Sequence, residues 1–471
     1  MKGKQWLAWT LVFALAGTLA LSALAAPVEE ARTLVAREAE TDPGTVESAP
    51  AETGEPTLAG PDDGGVREPD AIDQPAAEEA RKDAEKLEKL VKDVAAEPKS
   101  LKSVGFDQVE GLMRANNLQV LSFQETVDYL NSVNYTKLSD SLRKQLNKTA
   151  EIQFGLIQMA SYTHTNVDSY AYGQLDQVYG ALRTQFDNIK EGKTQESAAG
   201  AVRQLRYYQD QIVMGGENLY ITLAGLETTK AGMERQLSAL DRTLEEMELR
   251  NRLGQISDLQ VREIRTGRAK LESGLETMKM NIRTLKYQLE NLLGAGLTGT
   301  IALGGVPAVT EKEIAAMDAD RDLADAKAAS YDLYAAAKTL EEAEKTYRDQ
   351  AKGTGYNESD ATYRKALADW RGAQNTYNSA LRSYELKFRT LYSQVQDYYQ
   401  VWKNAQAALE DQRAAYEAAE VKQHQGNLSW NALLSAKDEV STAEDAVAKA
   451  RNDLFSSYNT YCWAVEHGIL N

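Results

Sequence analysis

Cysteine is almost missing from this chain. Cys462 stands alone, so no intramolecular disulfide can form and no cysteine-based metal site exists. The three histidines, His164, His424 and His467, show no spacing that fits metal ligation or a proton relay, and each reads as a solvated helix-surface residue. Basic excess is missing as well. A formal net charge of −17 argues against nucleic-acid binding, because phosphate contact demands a basic face. There is no nucleophile–base constellation and no phosphate loop. The many carboxylates lie among lysines and arginines on helix faces, where pairing one turn apart is the ordinary explanation. These absences exclude an enzyme and leave no site for a small-molecule cofactor or metal.

Proline is missing where it would matter most. Seven of the nine prolines precede residue 76, and the other two are Pro98 and Pro307. An interior proline costs a helix about 3 kcal/mol. The spans 99–306 and 308–471, rich in Ala, Leu, Glu, Lys, Gln and Arg, therefore read as long unbroken helices.

What is present begins with a positive n-region, Met1-Lys2-Gly3-Lys4, an apolar run from Trp6 to Leu24, and a small-x-small site at Ala23-Leu24-Ala25. Residues 1–25 read as a secretory signal peptide. The run is also long enough to stay as an uncleaved anchor, and no nearby cysteine offers a lipoprotein site. Residues 26–76 are rich in Pro, Gly, Glu, Asp and Ala, with only Arg32, Arg37 and Arg67 as counter-charges. Such a segment cannot bury enough surface to offset its chain entropy, and it reads as a disordered acidic tether. A linker helix is expected over 77–98.

The body carries one pattern twice. Leu253-Gly254-Gln255-Ile256-Ser257 and Gln425-Gly426-Asn427-Leu428-Ser429 each sit between two heptad stretches. Glycine accepts the left-handed conformation that ends one helix, and serine caps the next. Before the first tip, apolar residues run from Leu219, Leu223 and Leu226 through Met233, Leu237, Leu240, Leu244 and Met247. After it come Val261, Ile264, Leu271, Leu275, Met278, Ile282, Leu285, Leu289 and Leu292, with Lys230 and Arg268 as interruptions. The second tip is approached through Leu391, Val395, Tyr398, Trp402, Ala405, Leu409, Tyr416 and Ala419. It is left through Leu433, Ala436, Val440, Ala443, Val447, Ala450 and Leu454. A sustained 3.5-residue period is the mark of a left-handed coiled coil, and two stripes joined by a tight turn fold back on each other. The fold class is thus all-α, with long antiparallel coiled-coil helical hairpins in two internal repeats, 99–294 and 308–471. The glycine-rich, β-capable crossover at 295–307 joins them. Each repeat opens on a short capped helix feeding a longer one, Val104 to Leu118 in the first and Ala308 to Leu323 in the second.

This combination resembles the outer membrane efflux protein family, the TolC-like exit ducts of tripartite pumps and type I secretion systems. The resemblance rests on Asn116-Asn117, on the two Gly-x-(Ile/Leu)-Ser tips, on Leu292-Leu293-Gly294 and on the link to Ile301-Ala302-Leu303, and it covers over half the chain. It implies a homotrimer forming a hollow helical barrel whose hairpin tips dock a membrane-fusion (periplasmic-type) adaptor served by an inner-membrane transporter. Carried onto this chain, the docking residues are Leu253, Gly254, Gln255, Ile256, Ser257, Gly426, Asn427, Leu428 and Ser429. Any coiled-coil hairpin needs such a turn, so the same residues also read as simply reversing the chain.

One departure from the family is plain. Its members insert two amphipathic β-strands in each half, about ten alternating residues per strand. Here Lys352 to Asp360 reads as a short loop. Residues 135–215 show no alternation, and Gly192-Lys193-Thr194-Gln195-Glu196 reads as a helix turn. The tyrosines of that region (Tyr162, Tyr170, Tyr172, Tyr179, Tyr207, Tyr208) read as packing residues on half-buried faces. The chain is expected to be exported to the cell envelope, in the outer membrane by family analogy, but at the extracytoplasmic face or cell wall given the missing strands. Two functions stand: a non-enzymatic duct component of an export machine, and a coiled-coil spacer or scaffold in the envelope.

Overall fold

The computed structural model describes residues 100–163 and 169–470, with side chains at all of these except 163 and 169–171. The signal peptide, the acidic tether, the linker helix, His164 and the Tyr170 side chain lie outside them. In chain order the described elements are β1 (Ser103–Val104), α1 (Phe106–Asn116), α2 (Leu118–Ser132), α3 (Tyr135–Thr163), α4 (Ser169–Lys190), α5 (Lys193–Arg252) and α6 (Asp258–Leu292). There follow β2 (Ala302–Leu303), α7 (Glu311–Ala316), α8 (Ala319–Ala329), α9 (Tyr331–Gly353), α10 (Ala361–His424) and α11 (Trp430–His467). The body is all-α apart from β1 and β2, which pair in parallel, Ser103 with Ala302 and Val104 with Leu303.

Two long hairpins dominate, α5 with α6 and α10 with α11. Their seams follow the heptads. On α6 the heptad positions Val261, Ile264, Arg268, Leu271, Leu275, Met278, Ile282, Leu285, Leu289 and Leu292 are all buried or half-buried. The interruption at Arg268 is accommodated because its guanidinium pairs across the hairpin with Asp241, and with Glu272 at 2.8 Å. Alanine shares the second seam with larger residues, and its small side chain permits close approach of α10 and α11. At about 1.5 Å per residue the 60-residue α5 extends about 90 Å.

Two pairs of shorter helices complete the packing of the first repeat. α2 and α1 lie against the tip-distal part of α5, where Gln209 Nε2 donates to Val120 O at 3.0 Å. α3 and α4 form a side hairpin around Leu142, Leu146, Leu182 and Ile189, with Tyr179 and Phe186 packed on them. The turns read as loops in the sequence are turns in the structure: Gly192 (φ 80°) precedes α5, and Asp360 caps α10 by accepting from Thr362 N at 2.7 Å. Tyr207 and Tyr208 are half-buried, Tyr207 stacking on Tyr331 with ring centroids 5.0 Å apart. Tyr162 departs from the packing role, being almost fully exposed.

The hairpin bases are built as carefully as the seams. Asn117 caps α2 by accepting from Gln119 N and Val120 N (3.0 and 3.1 Å) and donates to Leu292 O at 3.0 Å. Ser330 caps α9 in the same way. Gly294 lies against the Asn116 carbonyl and Gly468 against Ser330 N, so Asn116-Asn117 corresponds to Ala329-Ser330. This corrects the sequence reading of the second repeat. The counterpart of α1 is α8, also 11 residues long, and not the helix opening at Thr310. The Thr310–Glu313 capping box is strong enough to nucleate α7, but that helix runs only 6 residues.

The crossover is pinned by one buried acid. Glu290, fully buried, accepts from the backbone N–H groups of Thr298 (2.6 Å), Gly299 (2.7 Å), Thr300 (3.3 Å) and Ile301 (3.2 Å), and from the Thr298 hydroxyl (2.7 Å). Burial alone would raise its pKa, yet these donors hold it below the ordinary carboxylate value. Tyr220, also buried, reaches Gly304 O at 2.8 Å and Val104 O at 3.3 Å, tying β1 and β2 to α5.

Candidate functional site: the paired hairpin tips

Both tips reverse the chain by the same backbone device. At the first, Gly254 has φ 72°, Gly254 N–H donates to Asn251 O (2.9 Å) and Gln255 N–H to Arg250 O (2.9 Å). Ser257 then opens α6 with a capping box, its hydroxyl accepting from Gln260 N while its own N–H donates to Gln260 Oε1 at 3.0 Å. Asn251 Nδ2 spans the turn to Ile256 O and Asp258 Oδ1 at 3.1 and 2.9 Å. At the second, Gly426 has φ 77°, Asn427 N–H donates to Lys422 O (2.8 Å), and the Ser429 hydroxyl accepts from Ala432 N (3.2 Å).

Of the nine residues expected to dock a partner, the structure exposes Leu253, Gly254, Gln255, Ser257, Gly426, Asn427 and Ser429, while Ile256 and Leu428 are half-buried in their turns. Apart from Leu253, the sequence reading missed the apolar surface around them. Leu253 is 63% exposed, Leu259 65% and Trp430 60%, with Leu249 and Val421 exposed beside them. Their signal was there to find. Each is an apolar residue off the heptad seam, in a position that intrachain packing does not explain.

The two tips are held together. Asn431 Nδ2, in the first turn of α11, donates to Glu246 Oε2 near the end of α5 at 2.8 Å. Further from the tips, Arg242 pairs with Asp438 and Arg235 with Asp445. Within each hairpin the contact is mainly apolar; between the hairpins it is a ladder of charges and amides toward the tips, and nearer the bases Ile221 of α5 joins the apolar cluster of Leu454 and Phe455. Exposed pairs of this kind are each worth under about 1 kcal/mol and weaken with salt.

The ladder ends in a buried polar cluster at the bases. Glu217, 5% exposed, accepts from Asn459 Nδ2 (2.9 Å) and Trp463 Nε1 (2.7 Å), and burial raises its pKa. His467 Nδ1 lies 3.1 Å from Asp210 Oδ2, and Arg114 donates to the other Asp210 oxygen at 2.7 Å. The hydrogen bond to Asp210 raises the His467 pKa. Burial works to raise that of Asp210, but His467 and Arg114 together bring it below its ordinary value. His467 is therefore not the solvated surface residue read from the sequence: it is half-buried, its ring centroid 4.5 Å from that of Trp463 with the planes tilted by 33°. Its partner lies on another helix, 257 residues away in the chain. His424 is exposed as expected. Burial pushes the Cys462 thiol up to about 11, far from reactive. Among the described residues no group of three or more His, Cys, Asp or Glu is placed to hold a metal ion, and no helix is long and apolar enough to cross a membrane.

No protein-family model matches the sequence, and no curated protein matches it. Among solved structures the chain is similar to the outer membrane protein VceC of Vibrio cholerae, at 17% identity over 58% of this chain and 76% of that one (TM-score 0.41). It is similar to the CmeC outer membrane channel of Campylobacter jejuni at 13% identity, over 80% of this chain and 90% of that one (TM-score 0.44). It is also similar to the MtrE outer membrane channel of Neisseria gonorrhoeae in its open state at 12% identity, over 77% and 89% (TM-score 0.42). At these identities and scores the likeness decides nothing about what the chain does.

Proposed function

We propose that this chain is a non-enzymatic component of a cell-envelope export machine, a TolC-like helical duct that docks an adaptor protein through its hairpin tips. The observation that carries this reading is the pair of tips joined side by side, each presenting apolar side chains that the chain itself leaves uncovered: Leu249, Leu253 and Leu259 on one, Val421 and Trp430 on the other. Two apolar knobs at the ends of rigid coiled coils suit a partner that is itself a helical hairpin, which buries side chains of this kind in its groove. In this reading the chain works as a homotrimer, the adaptor is of the membrane-fusion type, and an inner-membrane transporter supplies the energy. Among the described residues the strands β1 and β2 are two residues long, and in this reading the chain stands at the extracytoplasmic face or the cell wall.

The test uses the full chain in its own cells, with a photo-crosslinking residue at Leu253 or Trp430. The reading expects an adaptor to be captured from both positions and loss of the chain to reduce export or drug resistance. Capture of no adaptor, with envelope shape altered and export unchanged, would overturn it in favour of a coiled-coil scaffold.

A further inference from the structure

A cleft of about 500 Å³ lies between α10 and α11 beside the base of the second hairpin. Leu386, Leu391, Tyr398 and Leu470 are its apolar walls, and its polar lining is Thr390, Gln394, Ser456, Ser457 and Thr460. On α10 the lining positions 387, 390, 394 and 398 step by three and four, a single stripe alongside the buried seam of Phe388, Leu391 and Val395. The hydroxyls of the cleft behave unlike others in this chain. Helical threonines here commonly donate to the carbonyl one turn back, as Thr228, Thr277, Thr376 and Thr442 do at 3.1, 3.0, 3.0 and 2.9 Å. Thr460 does the same at 2.9 Å. Thr390, Ser456 and Ser457 do not, and neither they nor the Gln394 amide have a side-chain hydrogen bond among the described residues. Ser457 is only 7% exposed, and its Oγ is buried without a partner. A buried hydroxyl left unpaired is costly, and a ligand that meets it recovers that cost.

The lining also selects the class of ligand. Its charged residues are one of each sign, Lys387 and Asp453, and Asp453 is already paired with Lys449 at 2.8 Å. A second, more open hollow continues along α10. It shares Thr390 and Gln394, adds Ser393, and repeats the balance of charge with Arg389 and Asp397. A phosphate or carboxylate calls for an excess of cations, and a purely apolar ligand would leave the hydroxyls and the amide unpaired. Hydroxyls and amides both donate and accept. Set beside aliphatic walls and the half-buried Tyr398 ring, they match a ligand that presents hydroxyl edges and C–H faces together. Sugars have that character. From Leu386 to Tyr398 the two hollows follow about 18 Å of helix, room for a short oligomer and not for a single ring alone.

We propose that the α10–α11 cleft binds a neutral oligosaccharide. Ser457, Gln394 and Thr390 hydrogen-bond its hydroxyls, and Tyr398 lies against a ring face. This chemistry has two sources, a fixed glycan of the cell envelope and a soluble sugar, which the test separates. The cleft takes no part in the tips, so the proposal stands apart from the export reading.

The experiment titrates the full chain by calorimetry with two neutral tetrasaccharides, maltotetraose and the tetramer of N-acetylglucosamine. The same protein is sedimented with insoluble chitin and with purified peptidoglycan. The expected result is submillimolar binding of at least one tetrasaccharide, weakened about tenfold or more by Ser457→Ala and by Gln394→Leu. Because the Ser457 hydroxyl has no partner in the free chain, Ser457→Ala should melt no earlier than the native protein. Lost binding with unchanged melting is a result that a merely structural serine would not give. Co-sedimentation assigns the site to a fixed glycan; binding in solution without it assigns the site to a soluble sugar. The proposal is overturned if neither tetrasaccharide binds at millimolar concentration, or if binding survives both variants. Binding of acidic trigalacturonate alone, lost as salt is raised, overturns it in favour of an anion site. Failure to capture an adaptor at the tips, with sugar binding intact, would sink the export reading and leave this one standing.

Discussion

The tips and the bases of the hairpins use the same turn for opposite ends. All four turns place a glycine in the left-handed region, Gly254 and Gly426 at the tips (φ 72° and 77°), Gly294 and Gly468 at the bases (φ 65° and 68°). Around the tip glycines nothing lies within 4 Å of where a side chain would begin. At the bases a Cβ on Gly294 would meet Asn116 O at 2.8 Å, and one on Gly468 would clash with Ser330 N. The tip turn thus needs glycine for its backbone alone and leaves its surface free. The base turn needs it a second time, to let two stretches of chain touch. Identical local signals serve a free end in one place and a locked joint in the other.

Substitution breaks that comparison most sharply at the joint. Gly468→Ala is expected to cost about 3 kcal/mol or more, adding a backbone clash to left-handed strain. Gly254→Ala is expected to cost only about 1–2 kcal/mol, the strain alone. Denaturant midpoints should show this gap, and equal losses would mean that the bases are no more tightly packed than the tips. Next in size is Glu217→Ala, which strips the acceptor from Asn459 and Trp463 and should cost about 2–3 kcal/mol. Glu217→Gln keeps an acceptor and removes the buried charge. Because burial raises the folded pKa of Glu217, its ionisation costs stability as pH climbs above the unfolded value of about 4.3. The glutamine variant should therefore match the native chain near pH 4 and exceed it in melting temperature near pH 7.

A smaller, pH-dependent effect is expected for His467→Gln. The histidine's folded pKa is raised, so its contribution is full below about 6.5 and lost as pH rises through the folded value. The melting-temperature deficit of the variant should be larger at pH 5.5 than at pH 8.5. The smallest stability change belongs to the tips. Leu253→Ser and Trp430→Ala should shift stability by no more than about 0.5 kcal/mol while abolishing adaptor capture. A tip variant that melts early would show that these side chains pack within the hairpin after all.

What the sequence made legible divides along the same line. The seams of α5, α6, α10 and α11 were readable because a 3.5-residue period is local and repeats, and Gly-x-(Ile/Leu)-Ser was readable because its capping is settled within four residues. The bases depend on contacts between residues far apart in the chain. Nothing near His467 announces Asp210, and nothing near Glu290 announces that it will gather four backbone N–H groups. The match of α8 to α1 was hidden for the same reason. It is fixed by Gly468 meeting Ser330, whereas the local capping box at Thr310 drew attention to the wrong helix. At the site, the turn residues and Leu253 were found but Leu249, Leu259, Val421 and Trp430 were not, since exposure is decided by what fails to pack.

The parallel pairing of β1 with β2 has a consequence for how the chain comes into being. Synthesis proceeds from the N-terminus, and Ser103 and Val104 find their ladder partners only at Ala302 and Leu303, roughly two hundred residues later. Until then Tyr220 lacks its Gly304 acceptor and Glu290 has no loop to gather. The first repeat can form its coiled coil as it emerges, but it cannot close its base. A chain halted before the crossover should be a protease-sensitive half, and the second repeat acts as the clasp that completes the first.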